Sequence, residues 1–163
     1  MRTLPKIDIR YADLSDIPFI INGINQIVEI ESGDIRLEES LNRTDRDKKA
    51  REDIPKKNIL VATLRNNPIG FIWFTISNKC PYGVDYGDYT RKYLWVNFSF
   101  VSKENRNQGI ATSLYKEVFK IASSKKIYSI ALDVFEVNKN SLEFHEKLGF
   151  NSKIRLMFME DLF

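Results

Sequence analysis

YLWVNFSFVSKENRNQGIATSLY, residues 93–115, carries three signals in a row. Its first ten residues are rich in β-branched and aromatic side chains, which predicts a largely buried strand. From Ile110 onward, Ile110, Ala111, Leu114, Val118, Ile121 and Ala122 recur at helical spacing and form one apolar stripe. Between strand and helix lies a polar turn with a single glycine, Gly109. A chain that leaves a strand and enters a helix within a few residues gathers unpaired N–H groups and the positive end of the helix dipole at the turn, which suits an anion. Gly109 removes a Cβ that would hinder a close ligand, Ala111 is the next smallest choice, and Arg106 can add charge. The nucleotide patterns G-x-x-x-x-G-K-S/T and G-x-G-x-x-G do not occur here. Taken alone, the turn fits an anion-binding loop, and it equally fits a plain strand-to-helix corner with a solvated arginine.

The same reading extends outward in both directions. KIDIRYA (6–12) alternates apolar and polar and predicts a first strand. Asp13, Ser15 and Asp16 offer helix caps, and Pro18 is tolerated in a first turn. Ile17, Ile20, Ile21, Ile24, Ile27 and Val28 then follow helical spacing until Gly33 and Asp34. Residues 35–53 are strongly charged and predict an exposed second helix, part of which can be loop. NILVATL (58–64) and PIGFIWFTIS (68–77) flank the turn signal RNNP and read as a hairpin. Residues 78–92 form a loop with two glycines and three tyrosines. YSIALDVFEV (128–137) reads as a strand. SLEFHEKL (141–148) reads as a short helix capped by Asn138 or Asn140 and ended by Gly149, and KIRLMFME (153–160) reads as a last strand. The order βααβββαβαβ predicts one mixed α/β (α+β) domain over residues 1–163, with hairpins and a parallel crossover.

Composition narrows the classes. With 43% hydrophobic and 29% charged residues, the 163-residue chain is an ordinary globular one. No apolar run approaches the ~20 residues of a membrane span, and the N-terminus lacks the apolar core of a signal peptide. Cys80 is the only cysteine, which fits a reducing, cytoplasmic setting. One His and one Cys all but exclude a structural zinc site. The net charge of +3 is mild, and the basic residues are interspersed among 22 acids, which argues against nucleic acid as partner.

Arg106, Gly109 and Ala111, after a buried strand and before an amphipathic helix, match the pattern Gln/Arg-x-x-Gly-x-Gly/Ala. That pattern resembles the acetyl-CoA signature of the GNAT superfamily of N-acetyltransferases. A second match follows downstream. NKNSLEFHEKLGF (138–150) is similar to the family's Asn-x-x-Ala/Ser-x-x-Leu/Phe-Tyr-x-Lys-x-Gly-Phe segment, with Asn138, Ser141, Phe144, Lys147, Gly149 and Phe150 in register. The element order matches along nearly the whole chain, most clearly from about Tyr93 onward. The resemblance implies a central, mostly antiparallel twisted sheet flanked by helices, its strands splayed around Phe100 and Ala131 so that the pantetheine arm of acetyl-CoA can enter. It implies that the backbone of Ser99, Phe100 and Val101 pairs with that arm and supplies an oxyanion-holding N–H. It also implies that Arg106, Asn107, Gln108, Gly109, Ile110, Ala111 and Thr112 cradle the pyrophosphate, and that Asn138, Ser141 and His145 lie along the cofactor.

Two departures concern the chemistry. His145 stands where the family commonly has the tyrosine that assists the departing sulfur. An imidazole with an ordinary pKa of about 6.5 could do so as an acid, or could only pack beside the thioester. The acceptor raises a second question, because a lysine-like amine of pKa about 10.4 costs about 4.6 kcal/mol to deprotonate at pH 7. The central strand of this chain has Trp95 where several relatives carry a glutamate. Asp133, at a second family location, is the candidate base; Asp85, Asp88 or a water chain are alternatives. Glu29, Glu31, Asp34, Glu38 and Glu39 could attract a cationic amine or form a solvated face offset by Arg36. Tyr82, Tyr86 and Tyr89 could line an acceptor mouth or pack a loop, and Cys80 reads as an ordinary thiol. The expectation is therefore a metal-free N-acetyltransferase, monomer or homodimer, that moves acetyl from acetyl-CoA to a small or protein amine. A CoA-binding sensor or interaction module of the same fold is the alternative.

Overall fold

A computed structural model of the chain describes residues 6–31, 43–79, 92–127, 129–157 and 159. Gly33, Asp34, Arg36, Glu38, Glu39, Cys80, Tyr82, Asp85, Tyr86, Asp88 and Tyr89 lie outside the described residues. The elements in chain order are β1 (Ile7–Tyr11), α1 (Ile17–Glu31), α2 (Arg43–Asp53), β2 (Ile59–Leu64), β3 (Asn67–Ser77), β4 (Tyr93–Val101), α3 (Ile110–Ser124), β5 (Ser129–Ala131) and α4 (Lys139–Lys147). The strands form one sheet in the order β1-β2-β3-β4-β5. The first three pairings are antiparallel and β4–β5 is parallel, as the expected mixed, mostly antiparallel sheet requires.

Helices cover both faces of the sheet. On β3, Ile72 and Phe74 pack with Leu114, Tyr115, Val118 and Ala122 of α3, while Phe71 and Trp73 pack with Ile17, Ile20, Ile21 and Ile24 of α1. This explains why PIGFIWFTIS is apolar almost throughout instead of alternating: a strand buried on both faces has no polar side to present. The β2–β3 hairpin turns at Arg65 (φ 50°) and Asn66 (φ 67°), both left-handed as a tight hairpin demands. The entry to α1 is pinned from β1. The buried Asp16 carboxylate accepts from Arg10 Nη1 at 2.7 Å and Nη2 at 2.9 Å, and from the Asp13 backbone N–H at 2.9 Å.

The α2 helix has no apolar stripe. It is held through Ala50, which is fully buried, and through Asp53, only 2% exposed. Asp53 accepts the Trp73 indole N–H at 2.9 Å and pairs with Lys56 at 3.0 Å and Lys49 at 3.5 Å.

Two predicted strands are corrected. The strand over 128–137 is ordered as β only at Ser129–Ala131, and residues 132–135 carry no ladder. The last strand, over 153–160, is not formed in its described residues, where Ile154 and Leu156 are 56% and 69% exposed. Period-two patterning predicts which residues could share a face, but a strand also needs a neighbour of matching length, and β5 offers three residues. By contrast, α4 is bounded as expected. Asn138 Oδ1 accepts the Ser141 N–H at 3.3 Å, and Gly149 turns left-handed (φ 100°) while its N–H reaches the Glu146 carbonyl at 3.0 Å.

α1 approaches the sheet at Gly23, where a Cβ would come within 2.6 Å of Phe71 Cε1 and 2.8 Å of Phe100 Cδ1. Gly23→Ala is expected to force both rings off their positions and to destabilise the fold by about 1–3 kcal/mol. A urea-unfolding midpoint equal to that of the wild type would contradict this packing.

Candidate active site

The site begins where strand pairing ends. The β4–β5 register runs Tyr93–Ser129, Leu94–Ile130 and Trp95–Ala131 and then stops. Just past that point β4 carries a bulge: Phe98 lies opposite Trp73 and Val96 opposite Phe74, so Asn97 is the extra residue. The bulged strand and residues 132–135 part company, and a cavity of about 610 Å³ opens between them. Val96–Ser99 form one wall and Leu132–Phe135 the other. α1 and α2 close the cavity from one face of the sheet through Glu31, Asp45, Lys49 and Glu52. From the opposite face, α3 contributes Tyr115 and α4 contributes Asn138, Ser141 and His145. The cavity therefore passes through the gap in the sheet.

At the α3–α4 end, His145 is 6% exposed and lies edge-on to Tyr115, Phe144 and Phe150. Its Nδ1 is 2.7 Å from the Ser141 carbonyl oxygen and its Nε2 is 2.7 Å from the Tyr115 hydroxyl. Burial holds the imidazole below its ordinary pKa, against a smaller opposing effect of the Ser141 carbonyl. Burial also pushes the Tyr115 phenol well above its ordinary value, partly offset by a hydrogen bond from Ser99. Burial thus favours the neutral imidazole, a form able to accept a proton.

At the α1–α2 end, burial and the nearby Asp133 charge raise the Glu31 carboxyl to about 7. Asp133 itself is exposed, so it is not the buried carboxylate that strand alternation suggested. Trp73, Trp95, Phe98 and Phe135 line the stretch between the two ends.

Of the residues expected along a cofactor, Ser99, Asn138, Ser141 and His145 line the cavity. Phe100 and Ile110 have side chains in the core. Val101, Arg106, Asn107, Gln108, Gly109, Ala111 and Thr112 lie outside the cavity wall, on the end of β4, the turn and the first turn of α3. The Arg106 guanidinium is folded back, donating from Nε to the Val101 carbonyl at 3.0 Å and lying 6.0 Å from the Phe100 ring centre. Gly109 caps α3 with φ 76°, and no side chain caps that helix. Apart from its chain neighbours, no atom of the described residues lies within 4 Å of an ideal Cβ at Gly109, and the glycine suits its left-handed backbone, which an L side chain adopts only with strain. An uncapped helix start, the free edge of β4 and a through-sheet cavity fit a long ligand that is anionic at one end.

Tyr115, Trp73, Phe98 and the α2 residues Asp45, Lys49 and Glu52 line the cavity without having been singled out in the sequence. Tyr115 lies on the buried stripe of α3, four residues after Ala111, and a tyrosine on a buried face needs a partner for its hydroxyl. Glu31 was visible only as one member of an acidic run.

Comparison with known proteins agrees with this architecture. The model of the acetyltransferase (GNAT) family matches residues 24–150. No curated protein matches the chain in sequence. Among solved structures, the aminoglycoside N-acetyltransferase AAC(6')-Iy in complex with CoA superposes with a TM-score of 0.76 at 18% identity, covering 99% of each chain. A predicted acetyltransferase from Clostridium acetobutylicum, solved with acetyl-CoA, gives a TM-score of 0.68 at 17% identity, covering 95% of this chain and 96% of its own. A third structure, a possible acetyltransferase from Clostridium difficile 630, gives 0.70 at 20% identity over 96% and 98%. The chain belongs to the acetyltransferase (GNAT) family, the acetyl-CoA-dependent N-acetyltransferases.

The raised Glu31 carboxyl has a stability signature. A folded-state value above the ordinary 4.5 means that its favourable contribution is complete below about pH 4.5 and is lost as pH rises through about 7. Glu31→Gln is therefore expected to gain stability relative to wild type between pH 4.5 and 7 and to hold that lead above. His145 acts in the opposite sense, its contribution being lost as pH falls below its ordinary 6.5, but it is common to both proteins and cancels. Urea midpoints of the pair, measured in pH steps, test this; a difference that does not change with pH would contradict it.

Proposed function

We propose that this acetyltransferase moves the acetyl group of acetyl-CoA to a primary amine, carried on a small molecule, a polyamine or a protein, by direct attack with both substrates in the through-sheet cavity. The observation that carries this reading is the end of β4–β5 pairing at Trp95 and Ala131, which leaves a cavity reached from both faces. The CoA complex of AAC(6')-Iy, a protein of the same fold, supports it.

When bound, acetyl-CoA supplies an activated acetyl thioester. The chain's part is to hold, orient and move protons. The backbone of Ser99, Phe100 and Val101 is assigned to the pantetheine arm, with an N–H at this strand end polarising the thioester carbonyl. Arg106 through Thr112 offer first-turn N–H groups to the pyrophosphate, strengthened by the helix dipole. Asn138 contributes its Nδ2 donors, since its Oδ1 already caps α4. Ser141 and His145 lie on the sulfur side, and His145 serves the departing thiol.

Glu31 and Asp133 take the acceptor side. Their charge favours an ammonium group, and a carboxyl raised to about 7 is a better base at neutral pH than an ordinary one. The aromatic side chains of Trp73, Trp95 and Phe98 add faces on which a cation can rest.

The test is thiol release from acetyl-CoA by the tag-free protein across a panel of polyamines, aminoglycosides, lysine peptides and peptide N-termini. Amine-dependent release is expected for one class. Tight CoA binding with no release across the panel would instead make the chain a CoA-binding module. With the responsive amine, Glu31→Gln is expected to lower kcat/KM about 100-fold with CoA affinity unchanged. Full activity in that variant would remove Glu31 from the acceptor side.

A further inference from the structure

The β4 bulge adds one side chain to the cavity wall. Val96 packs in the core beneath α3, whereas Phe98 packs against the core beneath α1. In a regular strand two residues that stand two apart share a face. Here the bulge sets them on opposite faces, and Asn97, opposite no residue of β3, is carried into the wall between them. Its amide is tied in place, with Nδ2 donating to Thr75 Oγ1 on β3 at 2.9 Å. Thr75 comes two residues after Trp73 and shares its face, the side of α1 and α2. The bond to Thr75 leaves Asn97 Oδ1 without a protein partner among the described residues. Asn97 is half-buried and lines the cavity, so that oxygen is not sealed off from it.

We propose that Asn97 Oδ1 accepts a hydrogen bond from the acceptor amine and so turns the nitrogen lone pair toward the thioester. This rests on the acetyl-transfer reading above. An attacking amine must present its lone pair to the carbonyl carbon and send its N–H bonds elsewhere, and a fixed oxygen to one side receives one of them. An amide oxygen is suited to this. It accepts from an ammonium and from a neutral amine alike, and it carries no proton of its own to give. Glu31 and Asp133, in the same cavity, are left to handle the proton that the ammonium must lose. The spacing agrees. Asn97 precedes Ser99 by two residues, about 6–7 Å along a strand. On the reading above the thioester lies at that strand end. A nitrogen about 3–3.5 Å from the carbonyl carbon and about 2.9 Å from its acceptor fits that interval. As the N–C bond forms, positive charge grows on nitrogen and the hydrogen bond to Oδ1 strengthens, so Asn97 acts on kcat as well as on KM.

Three variants, assayed with the responsive amine, separate this role from that of a strand tie. Asn97→Ala is expected to lower kcat/KM about 10- to 100-fold, with CoA affinity unchanged. Asn97→Asp keeps an oxygen facing the cavity and is expected to hold KM for the amine within about threefold of wild type. Thr75→Val breaks the same hydrogen bond between strands but leaves the oxygen. Its urea midpoint should fall with that of Asn97→Ala, while its kcat/KM stays closer to wild type. Equal losses of kcat/KM in Asn97→Ala and Thr75→Val overturn the proposal, because the amide then serves only to tie the strands. Unchanged kinetics in Asn97→Ala, or loss of its CoA affinity, overturns it too. A KM raised about 10-fold or more in Asn97→Asp does the same, and this nearly isosteric variant decides the matter if Asn97→Ala does not fold. A wild type that transfers acetyl to no amine overturns the acetyl-transfer reading, and this assignment with it.

Discussion

Three residue pairs of parallel sheet, and the fact that there is no fourth, govern this molecule. Tyr93, Leu94 and Trp95 bind β4 to β5, and past Ala131 the two segments diverge. Continued pairing would have closed the sheet and left α3 and α4 on one side with no access to α1 and α2 on the other. The bulge at Asn97 turns β4 at this point, and the Asn97 amide donates to Thr75 Oγ1 at 2.9 Å, so the bend is tied to the neighbouring strand. Backbone groups on a strand edge need partners. An edge freed in mid-sheet, with helices above and below, is set to receive them from a ligand.

Burial acts at both ends of the cavity, with opposite consequences for charge. At His145 it removes a positive charge and leaves a base; at Glu31 it works against a negative charge and brings a carboxyl to about 7. Burial thus brings the Glu31 carboxyl toward neutral pH and moves the His145 imidazole toward its neutral form.

The sequence made some parts of the structure readable for reasons that are local. Residues 93–115 specify strand, turn and helix through composition and spacing within one window, and Asn138 and Gly149 mark the ends of α4 through capping chemistry that needs no distant partner. The strands over 128–137 and 153–160 were overextended because alternation is a property of the segment, whereas a ladder is a property of two segments. Tyr115 was missed as a site residue, and Glu31 was read only within the acidic run that could attract a cationic amine, for a related reason. Each is ordinary in its own helix and becomes distinctive only when Ser99, His145 or Asp133 comes to it from another element. For Gly109 the expected reason was room for a close ligand; the structure shows a conformational one, its left-handed φ.

The way α2 is fastened has a bearing on how such a protein can change. Among the described residues its fully buried side chains are Ala50 and Asp53, the latter bound to Trp73, and Arg46 donates to Asn25 Oδ1 of α1 at 3.0 Å. Asp45, Lys48, Lys49 and Glu52 line the cavity and are exposed. A wall hung from a few points can be redecorated at its exposed positions without disturbing the building behind it. On the proposed reading that this side of the cavity takes the acceptor, those exposed positions are where a lineage, or a designer working by saturation of a few codons, has most freedom to retarget the enzyme.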